Sequence, residues 1–170
     1  MPHPPVPQRF FVDADVLATP TPFCWLAMLR DETDGAFQLH TSPDELTAAT
    51  LEWRTSHQAA DASTAARREH LLRAVLDEVT GATESDVHLA PASHAGAGGP
   101  DEHWTPDEFL CLVDDESGPS VRALTRRRQD DVERRRAAGL PTDSLTDALV
   151  AAGCPAFAER VSAHLRALAA

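Results

Sequence analysis

Apolar residues come in short bursts early in the chain and at helical spacing later. RFFVDADVL, Arg9 to Leu17, is a run of Phe, Val and Leu interrupted by two acids, and it predicts a strand of a buried sheet. The prolines of TPTP, Pro20 and Pro22, break it. Phe23, Leu26, Ala27 and Leu29 then recur near helical spacing, so a helix follows. Asp34-Gly35 signals a turn, and AFQLHT reads as a second short strand. Ser42 is a helix N-cap, with Pro43 at the first helical position and acids in the first turn, opening a helix of about four turns. Leu72, Val75, Leu76 and Val79 form the stripe of the next helix, which Gly81 ends. The order strand, helix, strand, helix, helix predicts an α/β domain built on a parallel sheet.

SDVHLAPASHAGAGGP reads as a capped helix starting at Ser85 or Asp86. Pro91 falls where the interior of that helix would be, at a cost of roughly 3 kcal/mol if it ran on. The helix is therefore short, or the region is loose. After Trp104 the pattern is wholly helical. Thr105-Pro106-Asp107-Glu108 is a capped start, a longer helix runs from about Pro119 to Ala138, and two short amphipathic helices finish the chain. There is no internal repeat.

Composition narrows the function classes. At 170 residues, 42% apolar and 25% charged, the chain has an ordinary globular make-up. A net charge of −12 argues against broad, nonspecific nucleic-acid binding, which depends on neutralising phosphates. A local basic patch remains open, because seven of the fifteen Arg lie between Arg122 and Arg136. Cys24, Cys111 and Cys154 have no metal-ligand spacing; Cys24 and Cys111 sit in apolar runs and are expected to be buried free thiols. Residues 1–8, rich in Pro, read as a disordered leader without the features of a signal peptide. No run approaches the roughly 18 to 20 apolar residues of a membrane span, so a cytoplasmic location and no membrane partner are expected.

Three blocks in order, FVDADVL, SDVHLAPASHAGAG and the tail from TPDEFLCLVDD through LTDALVAAGCPAFAERVSAHLRALA, resemble PIN-domain proteins, the family of the VapC-type toxin ribonucleases. The tail is similar to the C-terminal extension of an actinobacterial-style subgroup. The resemblance implies a PIN-like parallel sheet flanked by helices over residues 9–104, then an all-helical extension over 105–170. It implies Mg²⁺- or Mn²⁺-dependent cleavage of RNA, with acidic side chains gathered at the carboxyl ends of parallel strands, since hard cations take oxygen ligands. RNA is the implied substrate, a cognate antitoxin and a second copy of the chain the implied partners. Carried over by position, Asp13 is the first acid, Asp15 an adjacent outer-sphere group, and Asp86 the third acid. Asp13, Asp86 and Glu45 are then the expected catalytic and metal-binding set.

The chain also departs from that pattern. The family's second acid aligns with Ala48; Glu45 and Glu52, one turn to either side, are its substitutes. The fourth acid and the strand before it are expected to be missing, with Asp101 or Glu102 at the junction and a shortened sheet around residues 84–104. An inactive PIN-like binding or regulatory module is the alternative function, and an interaction module centred on the tail a third. Arg126, Arg127 and Arg128 are candidate RNA contacts, or else part of a self-paired solvated helix in which Asp130 and Asp131 meet Arg134 and Arg135. His88 and His94, six apart, match no helical zinc-ligand spacing, and His88 is expected to pack.

Overall fold

The computed structural model describes residues 8–81, 87–94 and 103–169. Within them the chain is mixed α/β: five parallel strands in the order β3-β2-β1-β4-β5, flanked by seven α-helices. Strand β1 is Gln8–Val12, β2 is Phe37–Thr41, β3 is Glu78–Val79, β4 is Val87–Leu89 and β5 is His103–Trp104. The helices are α1 Ala14–Ala18, α2 Pro20–Glu32, α3 Pro43–Ser56, α4 Ala62–Val75, α5 Pro106–Ala137, α6 Leu145–Ala151 and α7 Pro155–Ala169. None is long and apolar enough to cross a membrane.

Alternation in the central strands sets the two faces. Phe10 and Phe37 point to one side, where the Phe109 ring of α5 lies with its centroid 4.3 Å from that of Phe10. Phe11 points to the other side, in a row of rings that runs across the strands through His40, His88 and His103. The Thr41 hydroxyl donates to the Val12 carbonyl at 2.8 Å and ties the carboxyl ends of β1 and β2 together. Helix α5 packs on α2 and α7. One contiguous apolar core reaches from Phe10 and Leu39 through Trp25 to Phe157 and Val161. Trp25 meets Phe157 edge-on at 5.2 Å, so the C-terminal helices share the core of the sheet.

Several local expectations are corrected. The first strand ends at Val12, not Leu17, because Asp13 caps a new helix: its Oδ1 accepts from the Asp15 amide at 2.9 Å. Val79 lies in β3; α4 stops at Val75, and Asp77 anchors the turn by accepting from the Leu39 amide at 2.8 Å. The helix expected from Ser85 or Asp86 is, from Val87 on, strand β4, paired with Phe10–Val12. Asp86, Asp101 and Glu102 lie outside the described residues. The strand expected to be missing is present in short form as β5, whose Trp104 pairs with Leu89. The break expected before Pro119 is present: non-helical backbone at Ser117 parts Pro106–Ala137 into two helical runs, because the proline lacks the N–H a straight helix needs. Cys24 is exposed and Cys111 half-buried; Cys154 alone is buried.

Candidate metal centre

The carboxyl edge of a parallel sheet is where such folds place ligands, because the crevice between the strand ends and the helices that follow lies there. At this edge β1 delivers Asp13 and then Asp15 in the first turn of α1. Beside it, β4 ends at Leu89, and Ala92–His94 form a single 3-10 turn. That turn swings His94 back over β1. Its Nδ1 lies 3.3 Å from Asp13 Oδ2 and its Nε2 lies 3.3 Å from Asp15 Oδ2. One ligand atom from each of Asp13, Asp15 and His94 falls within 4.8 Å of the others, close enough for a single ion to bind all three.

Asp13 therefore has two jobs. Its Oδ1 caps α1 while its Oδ2 faces the imidazole. Helix α3, packed against α1, brings two more acids. Glu45 Oε2 accepts from the Ala14 amide at 2.6 Å, which fixes the start of α1 against α3. Glu52, two turns further along α3, reaches Asp15. Desolvation, then the charge and hydrogen bond of Asp15 and the charge of Asp13, push its carboxyl above the usual range. Ala48, between them, is exposed. Of the expected residues, the edge thus gathers Asp13, Asp15, Glu45 and Glu52.

The donor set fits a divalent cation. Two carboxylates and an imidazole suit Mn²⁺ and later first-row ions, and the carboxylates alone suit Mg²⁺. Desolvation, Asp15 and Asp13 raise the cost of ionising Glu52, and a cation would lower it. A cleft of about 610 Å³ opens beside the cluster, lined by Asp15, Glu52, Ser93, Thr105, Asp107 and Cys154 among others. Thr105 and Glu108 satisfy each other's backbone amides in a capping box, and Asp107 accepts from the amides of Ala156 and Phe157. The Glu108 amide at one helix start, and the Ala156 and Phe157 amides at the other, are therefore already engaged.

Sequence reasoning missed His94. Its spacing from His88 rules out a pair on one helix, whereas His88 lies in a strand and His94 in the turn that follows. Pro91, directly after the strand, is the signal that could have revealed the turn.

The Arg cluster lies elsewhere. Arg127 is paired with Glu32, the last residue of α2, and the Ser120 hydroxyl donates to the Glu32 carbonyl. Helix α2 begins near the carboxyl edge, so its far end is about 20 Å away along a helix of this length. Arg126 is exposed, and Arg128 half-buried. Arg134 pairs with Asp131.

In comparisons with protein-family models, curated proteins and solved structures, nothing matches this chain.

Proposed function

We propose that the protein is a PIN-like, metal-dependent endoribonuclease whose centre is built from Asp13, Asp15 and His94. The observation that carries this reading is the convergence of those three side chains at the carboxyl edge of a parallel sheet, with Glu52 and Glu45 alongside. A bound Mn²⁺ or Mg²⁺ supplies the charge that activates water and stabilises the negative charge developing on a phosphodiester. Asp13 and Asp15 hold that ion, and His94 adds the nitrogen ligand. Glu45 keeps α1 in place through Ala14, and Glu52 stands ready as an outer acceptor for a water proton. The set does not call on Asp86.

The test is incubation of the full chain with labelled structured RNA, with and without Mn²⁺. Metal-dependent cleavage that Asp13→Asn abolishes is the expected outcome; cleavage that persists in the variant sinks the reading. A second reading, an inactive PIN-like binding module, is favoured by one observation. His94 touches both carboxylates through both nitrogens, so a protonated imidazole can itself stand in for the cation. Isothermal titration separates the two, since the inactive module takes up no Mn²⁺.

A further inference from the structure

Beyond Glu52, helix α3 turns from acidic to aromatic and basic. The Trp53 and His57 rings are stacked nearly parallel, with centroids 4.5 Å apart and planes 13° apart. His57 is exposed, and its Nδ1 lies 2.9 Å from the Trp53 carbonyl, so the ring is held rigid with one face on Trp53 and the other toward solvent. Arg68 on α4 lies over the Trp53 ring at 5.9 Å, and its Nη2 donates to the Leu17 carbonyl of α1 at 3.0 Å. The cluster is thereby joined to the helix that carries Asp15. From Trp53 to Arg73 there are four Arg (Arg54, Arg67, Arg68, Arg73) against Asp61 and Glu69, an excess of two positive charges in a chain of net charge −12.

An exposed, stacked ring in a locally basic stretch, with the Arg68 guanidinium over its Trp partner, meets the needs of a nucleobase and its phosphate. Stacking tolerates any base, and an ordered ring loses little freedom when a base docks. We propose that Trp53 and His57, with Arg68 and in a stretch that also carries Arg54 and Arg67, form a stacking platform for single-stranded RNA beside the candidate metal centre. His57 is five residues past Glu52, about 7 Å along the helix, within reach of a neighbouring nucleotide of the same strand. The inference deepens the ribonuclease reading, because it names where the substrate strand is held.

His57 also caps the end of α3, and two variants part the roles. His57→Phe keeps a flat face and loses the hydrogen bond; His57→Asn keeps a capping group and loses the face. Binding of a fluorescent ten-nucleotide single-stranded RNA to the full chain is measured in EDTA, where no metal-dependent cleavage occurs, alongside thermal melting. His57→Phe is expected to bind like wild type and melt lower, whereas His57→Asn melts like wild type and binds about tenfold more weakly. Equal binding by both variants, no binding by wild type, or a change in self-association in place of RNA affinity overturns the platform. Cleavage with Mn²⁺ is scored separately. If cleavage occurs while the two variants bind equally, only the platform falls. If the binding order holds and no metal-dependent cleavage is found, only the nuclease reading falls.

Discussion

Two acid-rich corners of the molecule treat their carboxylates in opposite ways. Along the seam between α5 and α7 every named acid is answered. Asp107 takes two backbone amides, Asp114 takes Arg160 and His164, and Asp115 takes Arg160. The Asp115 hydrogen bond, with help from Asp114, raises Arg160 further above its usual value, even against desolvation. At the carboxyl edge, Asp13 and Asp15 converge on one exposed imidazole, and Glu52 has the like charges of Asp15 and Asp13 for neighbours. Acids in the first corner fasten helices together. In the second, Glu52 is held beside Asp15 and Asp13 at an electrostatic cost that a bound cation would lower.

The sharpest way to break this contrast is to change one acid in each corner. Asp13→Asn should lower metal-dependent RNA cleavage at least about a hundredfold. Its melting temperature should stay near wild type, since Asn caps a helix nearly as well as Asp. Asp114→Asn should do the reverse. It removes the carboxylate that faces a largely buried His164 and one of the two that face Arg160, which keeps Asp115, costing about 2 kcal/mol. That lowers melting by roughly 4–8 °C in a chain of this size while cleavage in the cold persists. If Asp114→Asn abolishes cleavage at full stability, the division between the corners fails.

Acid titration gives a smaller effect. Burial alone would raise Asp77, but hydrogen bonds from Arg30 and the Leu39 amide, with the Arg30 and His40 charges, outweigh it and hold the carboxyl below its ordinary range. Its folded value lies below the unfolded one of about 3.9, so its contribution is complete above that pH and disappears as pH falls through the folded value. Urea melts from pH 5 to pH 2 should show wild type losing stability over that span more steeply than Asp77→Asn. The smallest effect is expected at Glu52. Its carboxyl is pushed up, so the ionised form opposes folding above the unfolded pKa. Glu52→Gln should melt slightly higher than wild type at pH 7 without metal and gain less from added Mn²⁺.

The early chain was legible because its signals are local. Ser42 and Pro43 start α3, and Phe37 to Thr41 form β2, as their patterns predict. Asp13 and Asp15 stand out in the sequence because two acids directly follow an apolar run. The misreadings share a cause. Strands of two or three residues, such as Glu78–Val79 and His103–Trp104, are too short to show alternation and exist only because a longer neighbour supplies their hydrogen bonds. Val79 continued a helical stripe by spacing, yet the Thr80 amide donates to the Thr41 carbonyl at 2.8 Å and draws that segment into the sheet. His94 entered the site through a pairing between β1 and β4 that no local pattern encodes.

Asp13 joins two equilibria that are usually separate. One carboxylate oxygen holds the first turn of α1, and the other faces His94 in the candidate ion site. Anything that binds the second oxygen and keeps the side chain in place also holds the first, so loading the site and ordering α1 are thermodynamically linked. The amide hydrogen of Asp15, which donates to that first oxygen, becomes a built-in gauge: its exchange with deuterated water should slow as the site fills.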